Sequence, residues 1–121
     1  MDDRMRDRVV LALRSTNLEL TCTGPAEEEG IIADLTRFSA IAAGGWTKAQ
    51  KDEWRDAVLA ELVDLPYLLV QPVLAEARRR VQFPGQLVTW IFAEVEPKMK
   101  RLHTERATYE RLLEIADARD Q

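Results

Sequence analysis

The chain has 121 residues, 46% apolar and 31% charged, which suits one globular domain and excludes a wholly disordered polymer. Its formal charge of −4 gives no general pull toward nucleic acid or anionic lipid. Cys22 is the single cysteine, which excludes an internal disulfide; no apolar run approaches the roughly 18 residues of a membrane helix, and the opening MDDRMRDR has no signal-peptide pattern, so a soluble cytoplasmic protein is expected.

Residues 1–24 read as an N-terminal arm with two readings open. Met5, Val9 and Ala12 or Leu13 recur at helical spacing, whereas Leu18, Leu20 and Cys22 alternate with Glu19, Thr21 and Thr23 as in a half-buried strand. A helix followed by an extended arm fits this pattern. So does a hairpin turning at Arg14-Ser15-Thr16-Asn17.

Residues 25–121 read as an all-α domain in which about five helices account for residues 25–118. Pro25 suits a first helical position, and Glu27, Glu28 and Glu29 suit the positive end of a helix dipole. Ile31, Leu35, Phe38 and Ala42 then share one helix face, and Gly44-Gly45 ends the segment. Thr47 through Gln50 form a capping box, opening a helix with Trp54, Ala57, Val58 and Leu62 on one side. Trp46, just before the cap, is placed to pack as a staple residue.

Pro66 is expected at the first position of the next helix, with Leu69, Val73 and Ala77 as its stripe. Pro72 falls inside the pattern and predicts a kink or a split. Arg78, Arg79 and Arg80 close the segment at its negative dipole end. Phe83-Pro84-Gly85 sets the start of a central helix from Leu87 to Val95 that is apolar almost all round, so wrapping on several sides is expected. Pro97 would interrupt that helix or begin a charged C-terminal one from about residue 98. Met99, Leu102, Tyr109, Leu112, Leu113 and Ala116 mark the apolar stripe of this last segment.

No constellation points to catalysis, to a metal or to a cofactor. His103 is the only histidine, on a charged helical segment, and Cys22 has no histidine near it in sequence. Glycine-rich phosphate loops are missing, since Gly44-Gly45 reads as a helix end. Residues 66–96 have the outline of a helix-turn-helix, but its second helix carries no Lys or Arg and ends in Glu94 and Glu96. Arg78, Arg79 and Arg80 with Lys98, Lys100 and Arg101 would make a phosphate-binding patch only if these helix ends met. Of the three tryptophans, Trp54 and Trp90 are expected in the core, and Trp46, beside two glycines, is the candidate anchor for a protein partner.

Several features occur in an order that resembles small bacteriophage replication proteins of the helicase loader/inhibitor type. They are the amphipathic helix IIADLTRFSAIAA, the capped helix TKAQKDEWRDAVLAEL with its central Trp54, Asp64-Leu65-Pro66 opening a helix that ends EARRR, and the aromatic-proline turn QFPGQL. The resemblance covers about residues 31–97. It implies a non-enzymatic helical adaptor that binds a replicative helicase as loader or inhibitor. In that family a flexible C-terminal part contacts the helicase, which implies contact residues Lys100, Arg101, Arg106 and Tyr109 in this chain. Two alternatives stand beside it. One is a small DNA-binding regulator using Arg78, Arg79, Arg80 and Lys98. The other is a homo-oligomeric structural protein whose tail helices pair.

Overall fold

A computed structural model describes residues 1–21 and 24–119 of the chain. They form five α-helices and no strand: α1 (Asp3–Thr21), α2 (Pro25–Ala42), α3 (Lys48–Glu61), α4 (Tyr67–Arg80) and α5 (Leu87–Arg119), with one 3-10 turn at Pro84–Gln86. The all-α expectation thus holds. The N-terminal arm is neither hairpin nor extended segment up to Thr21. Cys22 and Thr23, the last alternating positions, lie outside the described residues.

The first helix forms because a local cap and a distant partner agree. The Asp2 carboxylate accepts a hydrogen bond from the Met5 backbone N–H at 2.7 Å, satisfying one orphan donor of the first turn. Val9, Leu13, Thr16 and Leu20 then fall at spacings of four, three and four residues and turn toward α5. Thr16 is buried there because its hydroxyl donates back to the Ala12 carbonyl at 2.9 Å. Leu18, read by alternation as a strand residue, lies on the exposed side of this helix.

Local signals set α2 and α3 as expected. Pro25 sits in the first turn of α2 after Gly24, and the α3 capping box is complete: Gln50 N–H donates to Thr47 Oγ1 at 3.2 Å, and Thr47 N–H donates to Gln50 Oε1 at 2.9 Å. The end of α2 differs from a left-handed glycine cap. No glycine has a positive φ; Ala43 caps α2 with a bond to the Ser39 carbonyl, and Gly44-Gly45 only carry the chain around the turn.

Ile31, Leu35 and Phe38 of α2 share one core with Val70, Val73, Leu74 and Ala77 of α4, and Val58 of α3 and Leu62 just after it join the same core. The helix that touches most others is α4, which packs on α1, α2 and α5. It begins at Tyr67, one residue after Pro66, and it runs unbroken through Pro72. Pro72 leaves the Leu68 carbonyl without its helical donor, but Pro72 itself lies on the exposed side of the helix.

The first half of α5 is less enclosed than its composition suggests. Leu87, Ile91 and Val95 form one row at 0% exposure, while Val88, Trp90 and Phe92 are half-buried and Thr89, Ala93, Glu94 and Glu96 face solvent. One buried row with two partly covered flanks is enough to hold a helix, so Trp90 is a flank residue and not a core one. Pro97 neither interrupts α5 nor starts a new element; the helix continues for 33 residues. Its second half carries Leu102, Arg106, Tyr109, Leu113 and Ala116 at spacings of four, three, four and three, the counterpart of the α1 row. The two helices run antiparallel, fixed at their ends by Arg6 Nη2 to Asp117 Oδ1 at 2.9 Å.

Two predictions follow from this packing. Ile91→Ala should lower unfolding free energy by about 2–5 kcal/mol, against about 0.5 kcal/mol or less for Thr89→Ala two residues away. Urea titrations of both variants check it; equal losses would contradict the single buried row. The second concerns Gly30, where an added Cβ would stand 2.5 Å from Gln71 Nε2, which donates to the Glu27 carbonyl at 3.2 Å. Gly30→Ala alone should be near neutral, because about 1 kcal/mol of helix propensity is offset by the displaced hydrogen bond. In a Gln71→Ala background the same change should stabilise by about 1 kcal/mol.

Candidate functional site

The structure divides the candidate residues among separate surfaces. Trp46 is 39% exposed, but it is not a free-standing anchor. Its ring meets Trp54 edge-on at 6.3 Å, and Trp54 stacks on Phe38 at 5.8 Å, so an aromatic ladder runs from solvent into the core. The staple partner of Trp46 is therefore Trp54, in the helix that Trp46 precedes. Trp54 itself is half-buried. Gln50, Glu53 and Ala57 complete the shallow surface around these two rings.

Arg78, Arg79 and Arg80 are all exposed, but consecutive helix positions point about 100° apart, so they do not share a face. Arg78 borders a hollow with Phe38, Ile41 and Gln82. Arg80 instead lines a groove of about 570 Å³ with Glu76 and Pro72 of α4 and Trp90, Glu94 and Lys98 of α5. The short connection at residues 81–86 turns the chain back, which puts Arg80 and Lys98 toward opposite ends of this groove. Glu76 on the α4 wall and Glu94 on the α5 wall stand between them. Alternating sign suits a surface that meets a mixed-charge partner and gives phosphates no continuous basic track.

The four C-terminal contact residues also separate. Lys100 and Arg101 are exposed, and Arg101 Nε lies 3.9 Å from Glu105. Arg106 and Tyr109 are half-buried in the row that faces α1, and Arg106 Nη2 is 3.0 Å from His103 Nδ1. From Lys98 to Arg119 the chain is helix packed on α1, not the flexible tail that the resemblance implies.

A fourth surface has no counterpart in the sequence reading. The last turns of α5 and the first of α1 enclose a groove of about 430 Å³ lined by Met1, Met5, Val9, Leu112, Ile115 and Arg119. Its walls are mainly apolar, yet Met5 and Ile115 are 56% and 44% exposed. The signal that would have found it is the pairing of α1 with α5, because neither stretch forms a groove alone.

No group of three or more His, Cys, Asp or Glu placed to hold a metal occurs among the described residues, and no helix is long and apolar enough to cross a membrane. One titratable group among the described residues departs clearly from its ordinary value. Burial at the start of α4, with a smaller contribution from the Glu28 carboxylate, pushes the Tyr67 phenol above its usual 10.0. It is buried in the core and lines none of the grooves described above.

No family model matches the chain. No curated protein and no solved structure matches it significantly. The described residues define a class by architecture alone: a small all-α bundle whose first and last helices pair.

Tyr67 supplies a pH prediction. Below pH 10.0 the folded and unfolded chains both keep the phenol proton. Above it the unfolded chain releases the proton while the folded one retains it, so stability should fall from pH 10.0 upward until Tyr67 itself ionises. Tyr67→Phe should flatten that part of the curve and leave stability at neutral pH within about 1 kcal/mol. Denaturant midpoints of both proteins across the alkaline range check this; parallel curves would contradict it.

Proposed function

We propose that the protein is a non-enzymatic protein–protein adaptor. The observation that carries this reading is the apolar groove left open at the α1–α5 end, with Met5, Leu112 and Ile115 exposed. Large apolar side chains grouped in a groove mark a surface that another chain covers. The charged and polar residues elsewhere form mixed-sign walls that contact a partner more readily than they organise chemistry.

The resemblance at residues 31–97 names the first partner to test. By it, the adaptor binds a replicative helicase and either delivers it or holds it back, in the context of phage-type DNA replication in the cytoplasm. The groove-bearing helix pair takes the place of the flexible tail, so the contact is a preformed helical surface.

The same exposed side chains would serve a homo-oligomer, so the test separates the two. Tagged protein is used to capture partners from lysate of its native host, with and without nuclease, and its mass is measured over a concentration series. A helicase recovered in both halves is the expected result. Partners that vanish with nuclease would replace the adaptor by a DNA-bound regulator. Recovery of the protein alone, with a mass that doubles on concentration, would replace it by a self-assembling one.

A further inference from the structure

We infer that the groove between the first turns of α1 and the last turns of α5 is a docking site for an acidic amphipathic helix. This deepens the adaptor reading and rests on it. Met5 and Val9 stand one turn apart along one wall, with Met1 just before the helix extending it, and Leu112, Ile115 and Arg119 line the other. From Asp3, where α1 starts, to Val9 the helical part of this wall is about 9 Å long at about 1.5 Å per residue, and Met1 lengthens it. That length matches three apolar side chains at i, i+4 and i+7 of an incoming helix, about 10 Å from first to last.

Charge selects among the occupants. Arg8 follows Met5 by three residues and Arg4 precedes Arg8 by four, which places both on the solvent side of the α1 wall. Arg111 and Arg119 stand one turn before and after Ile115 on α5. Arg4, Arg8, Arg111 and Arg119 are all exposed, on a chain whose formal charge is −4. Among the described residues the nearby acids are engaged or face elsewhere. Asp2 caps α1, Asp117 pairs with Arg6 on the other side of the seam, and Asp3, Asp7 and Glu114 lie about 100° around their helices from Arg4, Arg8 and Ile115.

An apolar floor between arginine lips fits a ridge of apolar side chains flanked by Asp or Glu. A second copy fits poorly, because a two-fold contact places each patch on its own image and sets the four arginines against four more. Anionic lipid shares the charge preference, but a bilayer takes up a protruding apolar face and leaves a concave one unfilled.

The test selects helical partners without presuming one. A display library of random peptides about 16 residues long, roughly four turns, is enriched on the full-length protein. The winning peptides are then measured by fluorescence anisotropy. The expected winners carry apolar residues at i, i+3 or i+4 and i+7 with an excess of Asp and Glu. Their affinity should fall about tenfold or more in Ile115→Glu and in Arg4→Glu/Arg8→Glu, weaken with added salt, and survive Val63→Glu, an exposed apolar position between α3 and α4, away from the groove. Helical circular dichroism confirms that each variant is folded.

Neutral or basic winners, or winners indifferent to Ile115→Glu, would overturn the site. So would co-sedimentation with phosphatidylserine vesicles that Ile115→Glu abolishes while the peptides are unaffected, or a dimer that the same variant dissociates. The two levels of the reading fail separately. If the partner captured from lysate binds Ile115→Glu as well as the parent protein, the groove is lost and the adaptor remains. If peptides behave as expected but lysate yields no partner, the groove remains and the adaptor reading is lost.

Discussion

One helix must satisfy two partners along a single face. Leu87, Ile91 and Val95 of α5 close the core against α4, and Leu102, Tyr109, Leu113 and Ala116 continue on the same side to receive α1. At about 1.5 Å per residue the helix is roughly 50 Å long, longer than either partner alone. It therefore acts as a spine on which α4 and α1 sit one beyond the other, and the contact between α1 and α4 lies where they meet. Pro97 falls between the two buried stretches, on the exposed side. Its lost hydrogen bond frees the Ala93 carbonyl, which an exposed residue can turn to water.

Apolar burial carries most of the stability, and the polar groups are arranged so as not to oppose it. Buried Thr16 and Ser39 donate to their own helices, at 2.9 Å to the Ala12 carbonyl and 3.0 Å to the Thr36 carbonyl. No buried side-chain polar atom among the described residues lacks a partner. The ion pairs are exposed and mostly within one helix, where each contributes little. Arg6–Asp117 joins two helices and so helps fix their register more than their stability.

What could be read from the chain was what neighbouring residues decide among themselves. The Thr47–Gln50 cap, Pro25 in a first turn and the Ile31, Leu35, Phe38 stripe are local, and the structure keeps each. The first helix was ambiguous because Leu18 and Leu20 suit a strand by alternation, and only the partner more than 80 residues away decides otherwise. Trp90 was misplaced because composition cannot say which side of an apolar helix a neighbour covers. The surfaces suffered most. Three adjacent arginines looked like a patch in one dimension and diverge in three, Arg106 and Tyr109 turned out to face α1, and the groove needs both ends of the chain at once.

The pairing of the first helix with the last has a consequence for how the protein is made. During synthesis α1 emerges before α2, α3 and α4, and its partner α5 after them, so Val9, Leu13 and Leu20 stay uncovered while α2, α3 and α4 are being built. The core of α2 with α3 and α4 closes from segments near one another in sequence, whereas α1 must wait for the longest loop closure in the molecule. The charged first turns, with Asp2, Asp3, Arg4, Arg6, Asp7 and Arg8, keep that waiting helix in solution. The groove therefore exists only once the last turns of α5 have joined α1.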